Sequence, residues 1–283
     1  MPAHFINYNG TLLPSGQGIL TADNRGFRYG DGLFETMLIR RGGIRLGKYH
    51  FERLFSGMRL LHFEPSFAFT PENLERQVLE LCAANGGGAD YRVRLVVFRG
   101  EGGLLDPPDP PDPAAQYIIQ AVPLPSGPGG WKEEGLVIDI FPEGRKSCDH
   151  FSRLKSNNFL LYAQAAIYAR EQGAGDCLVL NSHGRIADST IANIFYIKDG
   201  MVYTPPLSEG GVAGVMRRYL LEVLPEAGYT VQERPVSIED LSGADELLLT
   251  NAVRGISWVR SLRGVPYTCR LGAGFYKQWI EIL

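Results

Sequence analysis

The segment from Arg153 to Phe195 constrains the fold of this chain more than any other. It opens with R-L-K-S-N-N at 153–158 and continues into an apolar stretch whose spacing predicts a helix at about 156–172. The strand-like C-L-V-L follows at 177–180, then a turn at Asn181–Gly184. I-A-D-S-T-I-A-N-I-F at 186–195 then predicts strands at 186–188 and 192–197. A helix running into a strand and a hairpin needs a sheet to pack on, which points to an α/β or α+β protein.

The rest of the chain repeats that mixture of strand pairs and helices. Residues 4–13 form a hairpin pattern around Asn9-Gly10. A polar loop is expected from Leu20 to Arg28, then a strand at Leu33–Ile39, a turn at Arg41–Gly43 and a returning strand. Helices are predicted at Lys48–Leu61 and Pro71–Asn85, the second with Thr70 as N-cap and Pro71 at its first position. Strands follow at Tyr91–Phe98, with Arg92 and Arg94 sharing one face, and at Tyr117–Val122. Leu105–Pro113 is an extended, proline-rich loop. Pro123–Gly130 reads as a linker, so the domains are placed at 1–122 and 131–283 on either side of 123–130. The second half adds a strand at Leu136–Phe141, a Met201–Thr204 return strand, helices at Gly214–Leu224 and Ile238–Leu241, and a strand at Glu246–Asn251. The expected architecture is two mixed-sheet α/β domains.

With 283 residues, 28 basic against 31 acidic side chains and a net charge of −3, nothing implies a nucleic-acid or membrane-surface partner. No apolar run approaches the length of a membrane span, and M-P-A-H-F-I-N-Y lacks the pattern of a signal peptide. The scattered cysteines 82, 148, 177 and 269 read as buried free thiols of a cytoplasmic protein. The histidines 4, 50, 62, 150 and 183 show no metal-ligand spacing, so no metal site is expected.

Lysine is scarce, six against twenty-two arginines, and Lys155 alone starts an element and precedes small polar residues and an apolar helix. Lys48, Lys132 and Lys146 have charged or loop neighbours. A partly desolvated lysine forms Schiff bases, although an exposed lysine near a helix start would read the same way. Asp188 lies among small residues, where a turn acid is the common case. Gly214 precedes a helix whose free N–H groups suit an anion, and Thr250-Asn251-Ala252 ends a strand with hydrogen-bonding groups.

The order of these features resembles the fold type IV pyridoxal-phosphate enzymes: branched-chain and D-amino-acid aminotransferases and aminodeoxychorismate lyase. The likeness runs from Tyr8-Asn9-Gly10 to Asn251-Ala252. Its most specific parts are the spacing from Lys155 to A-D-S-T-I-A-N-I-F, D-G-M-V-Y-T-P-P-L at 199–207 and A-G-V-M-R at 213–217. The resemblance implies pyridoxal 5′-phosphate at the interface of two domains, with Lys155 as the Schiff-base lysine that also moves the substrate proton. It implies a phosphate cup of Arg53, the N–H groups of Val215 and Met216, and Asn251. Asp188 stands where the family has a glutamate against the pyridine nitrogen, Met216 where aminotransferases often have threonine, and Leu160 where they often have tyrosine. Arg28, Tyr29, Phe34, Arg92, Arg94 and Ala252 correspond to the substrate side. Leu38 replaces an arginine usual in branched-chain enzymes. The resemblance therefore implies an aminotransferase acting on an amino acid, D-configured in preference, and a 2-oxo acid such as 2-oxoglutarate. Aminodeoxychorismate lyase and branched-chain L-aminotransferase are the alternatives, and a homodimer is expected.

Overall fold

The computed structural model describes residues 4–105, 115–125 and 130–283. The chain forms two compact units: Met1–Pro128 with Lys155–Asn158, and Gly129–Leu154 with Phe159–Leu283. The proline-rich loop of 105–113 and the linker of 123–130 fall outside the described residues, except for residues 105, 123–125 and 130.

In the first unit, β1 (Phe5–Tyr8) and β2 (Thr11–Pro14) form the expected hairpin. Asn9 and Gly10 both have positive φ, 50° and 90°, as a tight primed turn requires. The segment read as a loop contains a short helix, α1 (Arg25–Tyr29). Asn24 starts it, its side-chain oxygen accepting from the Phe27 N–H at 3.0 Å, and Gly30 at φ 65° ends it. Next come β3 (Gly32–Arg40), β4 (Gly43–Ile44), α2 (Gly47–Leu60), α3 (Pro71–Ala84), β5 (Tyr91–Phe98) and β6 (Gln116–Pro123). The Thr70 hydroxyl caps α3 as expected. The strands pair antiparallel in the order β2-β1-β6-β5-β3-β4. Helix α2 packs on β3, and α3 packs on β1 and β6. In β5, Tyr91, Val93, Leu95 and Val97 are buried while Arg92 and Arg94 point to the other face and are exposed.

The second unit contains β7 (Leu136–Lys146), α4 (Leu160–Glu171), β8 (Asp176–Asn181), β9 (Ile186–Ser189), β10 (Asn193–Lys198) and β11 (Met201–Thr204). It continues with α5 (Val215–Glu226), β12 (Val231–Glu233), α6 (Ile238–Ser242), β13 (Glu246–Asn251), β14 (Gly255–Leu262), β15 (Val265–Pro266) and α7 (Leu271–Phe275). Its sheet runs β12-β11-β10-β13-β14-β7-β8-β9, with β15 on β14. Strand β7 is parallel to both β14 and β8. Every residue of β8 is buried. Leu178 and Leu180 join a core with Ile138, Ile140, Ile194, Leu247 and Val259, while Cys177 and Val179 pack with Phe141, Tyr162, Ala165 and Ala169. Burial on both faces explains why this strand reads as a continuous apolar run. All four cysteines are free; Cys82 and Cys177 are buried, Cys148 and Cys269 half-buried.

Two boundaries differ from the sequence expectation, and both matter. Helix α4 starts at Leu160, not near 156. The backbone of Lys155–Asn157 is used elsewhere: the Phe34 N–H donates to the Lys155 carbonyl at 2.8 Å and the Asn157 N–H to the Gly32 carbonyl at 2.9 Å. These bonds hold Lys155–Asn158 on β3, in the first unit, where the linker reading assigned them to the C-terminal domain. Strand β7 also continues past Phe141 to Lys146, after a register shift between Ile140 and Arg145 against β8.

Candidate active site

Two glycines of the R-Y-G-D-G segment make room for the lysine strand. A Cβ on Gly32 would lie 2.4 Å from the Asn157 side chain and from the Val97 carbonyl. One on Gly30 would lie 2.8 Å from the Asn158 side chain. A side chain at either position would crowd the Asn157 or Asn158 side chain, and at Gly32 also the β5 backbone.

The half-buried Lys155 amine sits 4.5 Å from the centroid of the Phe34 ring. The Arg94 guanidinium lies 3.9 Å from the same ring. The register explains this meeting: Phe34 pairs with Val96, Thr36 with Arg94 and Leu38 with Arg92, so these side chains share one sheet face. Burial, and then the neighbouring Arg92 charge, lowers the Arg94 pKa from its usual value. A guanidinium stays charged after such a shift, so the face carries two crowded cations that an anion would relieve. Arg28 is exposed, pairs with Asp23 at 3.3 Å, and lies 5.4 Å from the half-buried Tyr29 ring.

Behind the same strand lies a buried ionic cluster that the sequence reading missed apart from Arg53. Glu35 is 1% exposed, and its carboxylate accepts from Arg53 Nε at 2.7 Å and from His50 Nδ1 at 2.6 Å. Arg53 Nη2 makes a further bond to it. Burial would raise the Glu35 pKa, but the Arg53 and His50 charges and hydrogen bonds outweigh it and bring it down to about 2. His50 is wholly buried, and desolvation outweighs the attraction of Glu35 to lower its pKa. His50 and Arg53 lie three residues apart on one face of α2. A lone glutamate inside the apolar strand L-F-E-T-M-L-I was the signal available for this cluster.

In the second unit, Asp188 is 2% exposed on β9. Tyr162 of α4 donates its hydroxyl to both carboxylate oxygens, at 3.0 and 2.8 Å, and the Val212 N–H donates to Oδ2 at 2.9 Å. The Lys146 amine donates to the Tyr162 oxygen and lies 3.5 Å from Asp188 Oδ2. Lys146 is itself only 9% exposed. The charged and loop neighbours of Lys146 give no sign of this: the extended β7 carries it into the core opposite an acid distant in sequence. Leu160 is 74% exposed, and the buried tyrosine is two residues further on, bonded to the acid.

Val212 connects Asp188 to the start of α5. Its carbonyl accepts from Asn193 Nδ2 at 2.8 Å, and Asn193 lies against Gly214, where a Cβ would meet Asn193 Oδ1 at 1.8 Å. Gly214 precedes α5, which has no side-chain cap, so the N–H groups of Val215 and Met216 stand at an open helix N-terminus. Asn193 pairs with Thr250 across β10 and β13, and the Thr250 hydroxyl is buried with no hydrogen-bond partner. The half-buried Asn251 uses its side-chain oxygen to accept from the Val253 and Arg254 N–H groups at 3.1 and 2.8 Å, with half-buried Ala252 between them.

Comparison with known proteins places this geometry in context. The chain is 31% identical over 261 residues to a putative branched-chain-amino-acid aminotransferase of Methanocaldococcus jannaschii, covering 92% of this chain and 88% of that one. It is 30% identical over 242 residues to an aminodeoxychorismate lyase of Vibrio harveyi, covering 84% and 86% of the two chains. A solved 4-amino-4-deoxychorismate lyase from Pseudomonas aeruginosa superposes with a TM-score of 0.84 at 30% identity, covering 98% of this chain and 99% of that one. The family model described as amino-transferase class IV matches residues 32–262, and the chain therefore belongs to the class IV aminotransferases, pyridoxal-phosphate-dependent enzymes of fold type IV.

Proposed function

We propose that this enzyme transfers an amino group between an amino acid, D-configured in preference, and a 2-oxo acid such as 2-oxoglutarate. The observation that carries this reading is the convergence of the Lys155 amine and the Arg94 guanidinium on the Phe34 ring. Amino transfer needs an amine for the carbon chemistry and a fixed cation for the carboxylate beside that carbon.

The donor set suits pyridoxal phosphate. The open N-terminus of α5, next to a buried hydroxyl of Thr250 that lacks a partner, suits a phosphate dianion. The resemblance assigns Arg53 and Asn251 to the same phosphate. Asp188 is a buried acid for the ring nitrogen, and among the described residues its Oδ1 accepts only from Tyr162, leaving room for another donor. When bound, pyridoxal phosphate supplies an aldehyde that captures amines and a ring that takes up the electron pair released at the substrate Cα. Lys155 would be the amine that binds the aldehyde, and its Nζ would carry the proton to and from the substrate Cα. Asp188 would hold a proton on the ring nitrogen. Arg94 binds the α-carboxylate, Arg92 and Arg28 take a second carboxylate, and Tyr29, Phe34 and Ala252 line the substrate side.

A D-amino acid donor is favoured because Leu38, wholly buried on the Phe34 face, stands where branched-chain relatives carry a guanidinium. L-K-S-N-N, A-G-V-M-R and T-N-A are lyase-like or D-specific rather than branched-chain-like. The 30% identity to the lyases of Vibrio harveyi and Pseudomonas aeruginosa supports a second reading, aminodeoxychorismate cleavage with release of pyruvate. Incubating the purified enzyme with D-alanine plus 2-oxoglutarate, L-leucine plus 2-oxoglutarate, or aminodeoxychorismate separates these. Glutamate formation with D-alanine is expected, and pyruvate from aminodeoxychorismate alone overturns the transaminase reading. Arg94→Ala should raise KM for the amino acid about 10–100-fold with a smaller fall in kcat, since a charge-assisted contact is worth roughly 1.5–3 kcal/mol. An unchanged KM removes Arg94 from substrate binding.

We further propose a homodimer. Leu160 and Ile167 are exposed on one side of α4 with Ala163 and Gln164, and Phe151 is exposed on the loop before it. Light scattering should give about twice the 31.3 kDa chain mass, and a monomer at micromolar concentration contradicts the proposal.

A further inference from the structure

The buried contact of Lys146 with Asp188 has no part in the chemistry above. We propose that Lys146, acting on Asp188 directly and through Tyr162, is a positioning residue that sets how strongly Asp188 holds a proton on the cofactor's ring nitrogen. This rests on the assignment of Asp188 as the acid for that nitrogen.

The hydrogen bonds run one way. The Lys146 ammonium donates to the Tyr162 oxygen, and the Tyr162 hydroxyl donates to both oxygens of Asp188. An ammonium has only protons to give, so the phenol must accept from it and direct its own proton to the carboxylate. The Tyr162 pKa is pushed well above its usual value, by burial and then by the Asp188 charge, so the phenol remains a donor. Lys146 also lies 4.8 Å from the Tyr162 ring centroid and 3.5 Å from Asp188 Oδ2. All three groups are at least nine-tenths buried, where charges are weakly screened.

Two consequences follow from this arrangement. Tyr162 and the Val212 N–H occupy Oδ2 and fix the carboxylate plane, leaving Oδ1 as the oxygen with acceptor capacity. The ammonium draws on the negative charge of Asp188, so the acid attracts a ring-nitrogen proton less strongly than an uncompensated carboxylate would. Lys146 therefore makes the ring a weaker electron acceptor than Asp188 alone would, while helping to orient the acid.

The test loads the enzyme with pyridoxal phosphate labelled with ¹⁵N in the ring and reads the nitrogen chemical shift at pH 7.5, together with cofactor affinity. In Lys146→Met the shift should move toward the protonated value, corresponding to about a tenfold or greater rise in the protonated fraction ratio. Lys146→Arg, which keeps the charge, should stay near wild type. Lys146→Gln keeps a donor to Tyr162 without the charge and should behave like Lys146→Met, which covers the case in which methionine prevents folding. A shift that stays at the wild-type value in both neutral variants overturns the proposal and leaves Lys146 a structural charge. Failure of Asp188→Asn to alter the shift in the wild-type background instead overturns the assignment of Asp188 on which it rests.

Discussion

Lys155→Ala should fold normally, lose the visible absorption of covalently held cofactor, and lose transamination by on the order of 10⁴-fold in kcat or more. The backbone geometry makes this a clean experiment. What holds residue 155 on β3 is its carbonyl, which accepts from the Phe34 N–H, and the neighbouring Asn157–Gly32 bond. An alanine keeps both. The side chain is half-buried and stands over Phe34, so its removal costs little packing. The two tasks assigned to the amine, covalent capture of the aldehyde and proton transfer at Cα, vanish together. Added small amines separate them: they should restore part of the turnover by replacing the proton carrier without restoring covalent retention of the cofactor. Absorption and turnover at wild-type levels in Lys155→Ala would falsify the assignment, and Lys146, the other buried amine, would become the residue to replace.

The residues legible in the sequence are those whose role depends on local order. L-K-S-N-N ahead of an apolar helix singled out Lys155, and A-D-S-T-I-A-N-I-F singled out Asp188. Strand alternation put Arg92 and Arg94 on one face of β5, and Gly214 marked the open end of α5. The misplaced features are those decided by partners distant in the chain. The start of α4 moved because residues 155–157 give their backbone groups to β3, which helical periodicity does not register. Lys146 has charged neighbours in the sequence, yet β7, after a register shift, carries it inward toward a tyrosine 16 residues later. Its burial becomes intelligible only when Asp188 is seen to face it. The Glu35 cluster is of the same kind: the strand carries a lone glutamate, the helix several charged residues, and only their packing selects Arg53 and His50 as its partners.

That cluster yields the second large effect, on stability. Glu35→Gln should destabilise the protein by roughly 3–5 kcal/mol, as expected when one member of a buried ion pair is removed. Both carboxylate oxygens are engaged, one by Arg53 Nε and the other by His50 Nδ1 and Arg53 Nη2. A glutamine replaces one oxygen with an NH₂ group that must face a donor. If His50 switches tautomer to accept from it, the proton moves to Nε2, which is buried with no hydrogen-bond partner. Either arrangement leaves a buried polar group unsatisfied and takes from Arg53 the carboxylate it pairs with here. Acid acts through the same group. With the Glu35 pKa lowered from 4.5 to about 2, the folded state binds its proton less readily than the unfolded state. This contribution is fully present above about pH 4.5 and is lost as pH falls toward 2; its size is about 3 kcal/mol at about 1.4 kcal/mol for each pH unit. His50 pulls the same way: with its pKa lowered from 6.5, it takes up a proton more readily on unfolding, so acid favours the unfolded chain. Urea unfolding of the wild type should therefore weaken steadily from pH 6 to pH 3, and Glu35→Gln should flatten the part of that slope below pH 4.5. Cofactor affinity should fall in the variant as well, because Arg53 loses the carboxylate that orients it. A loss of less than about 1 kcal/mol at pH 7, with an unchanged acid slope, would show that Glu35 does not anchor Arg53.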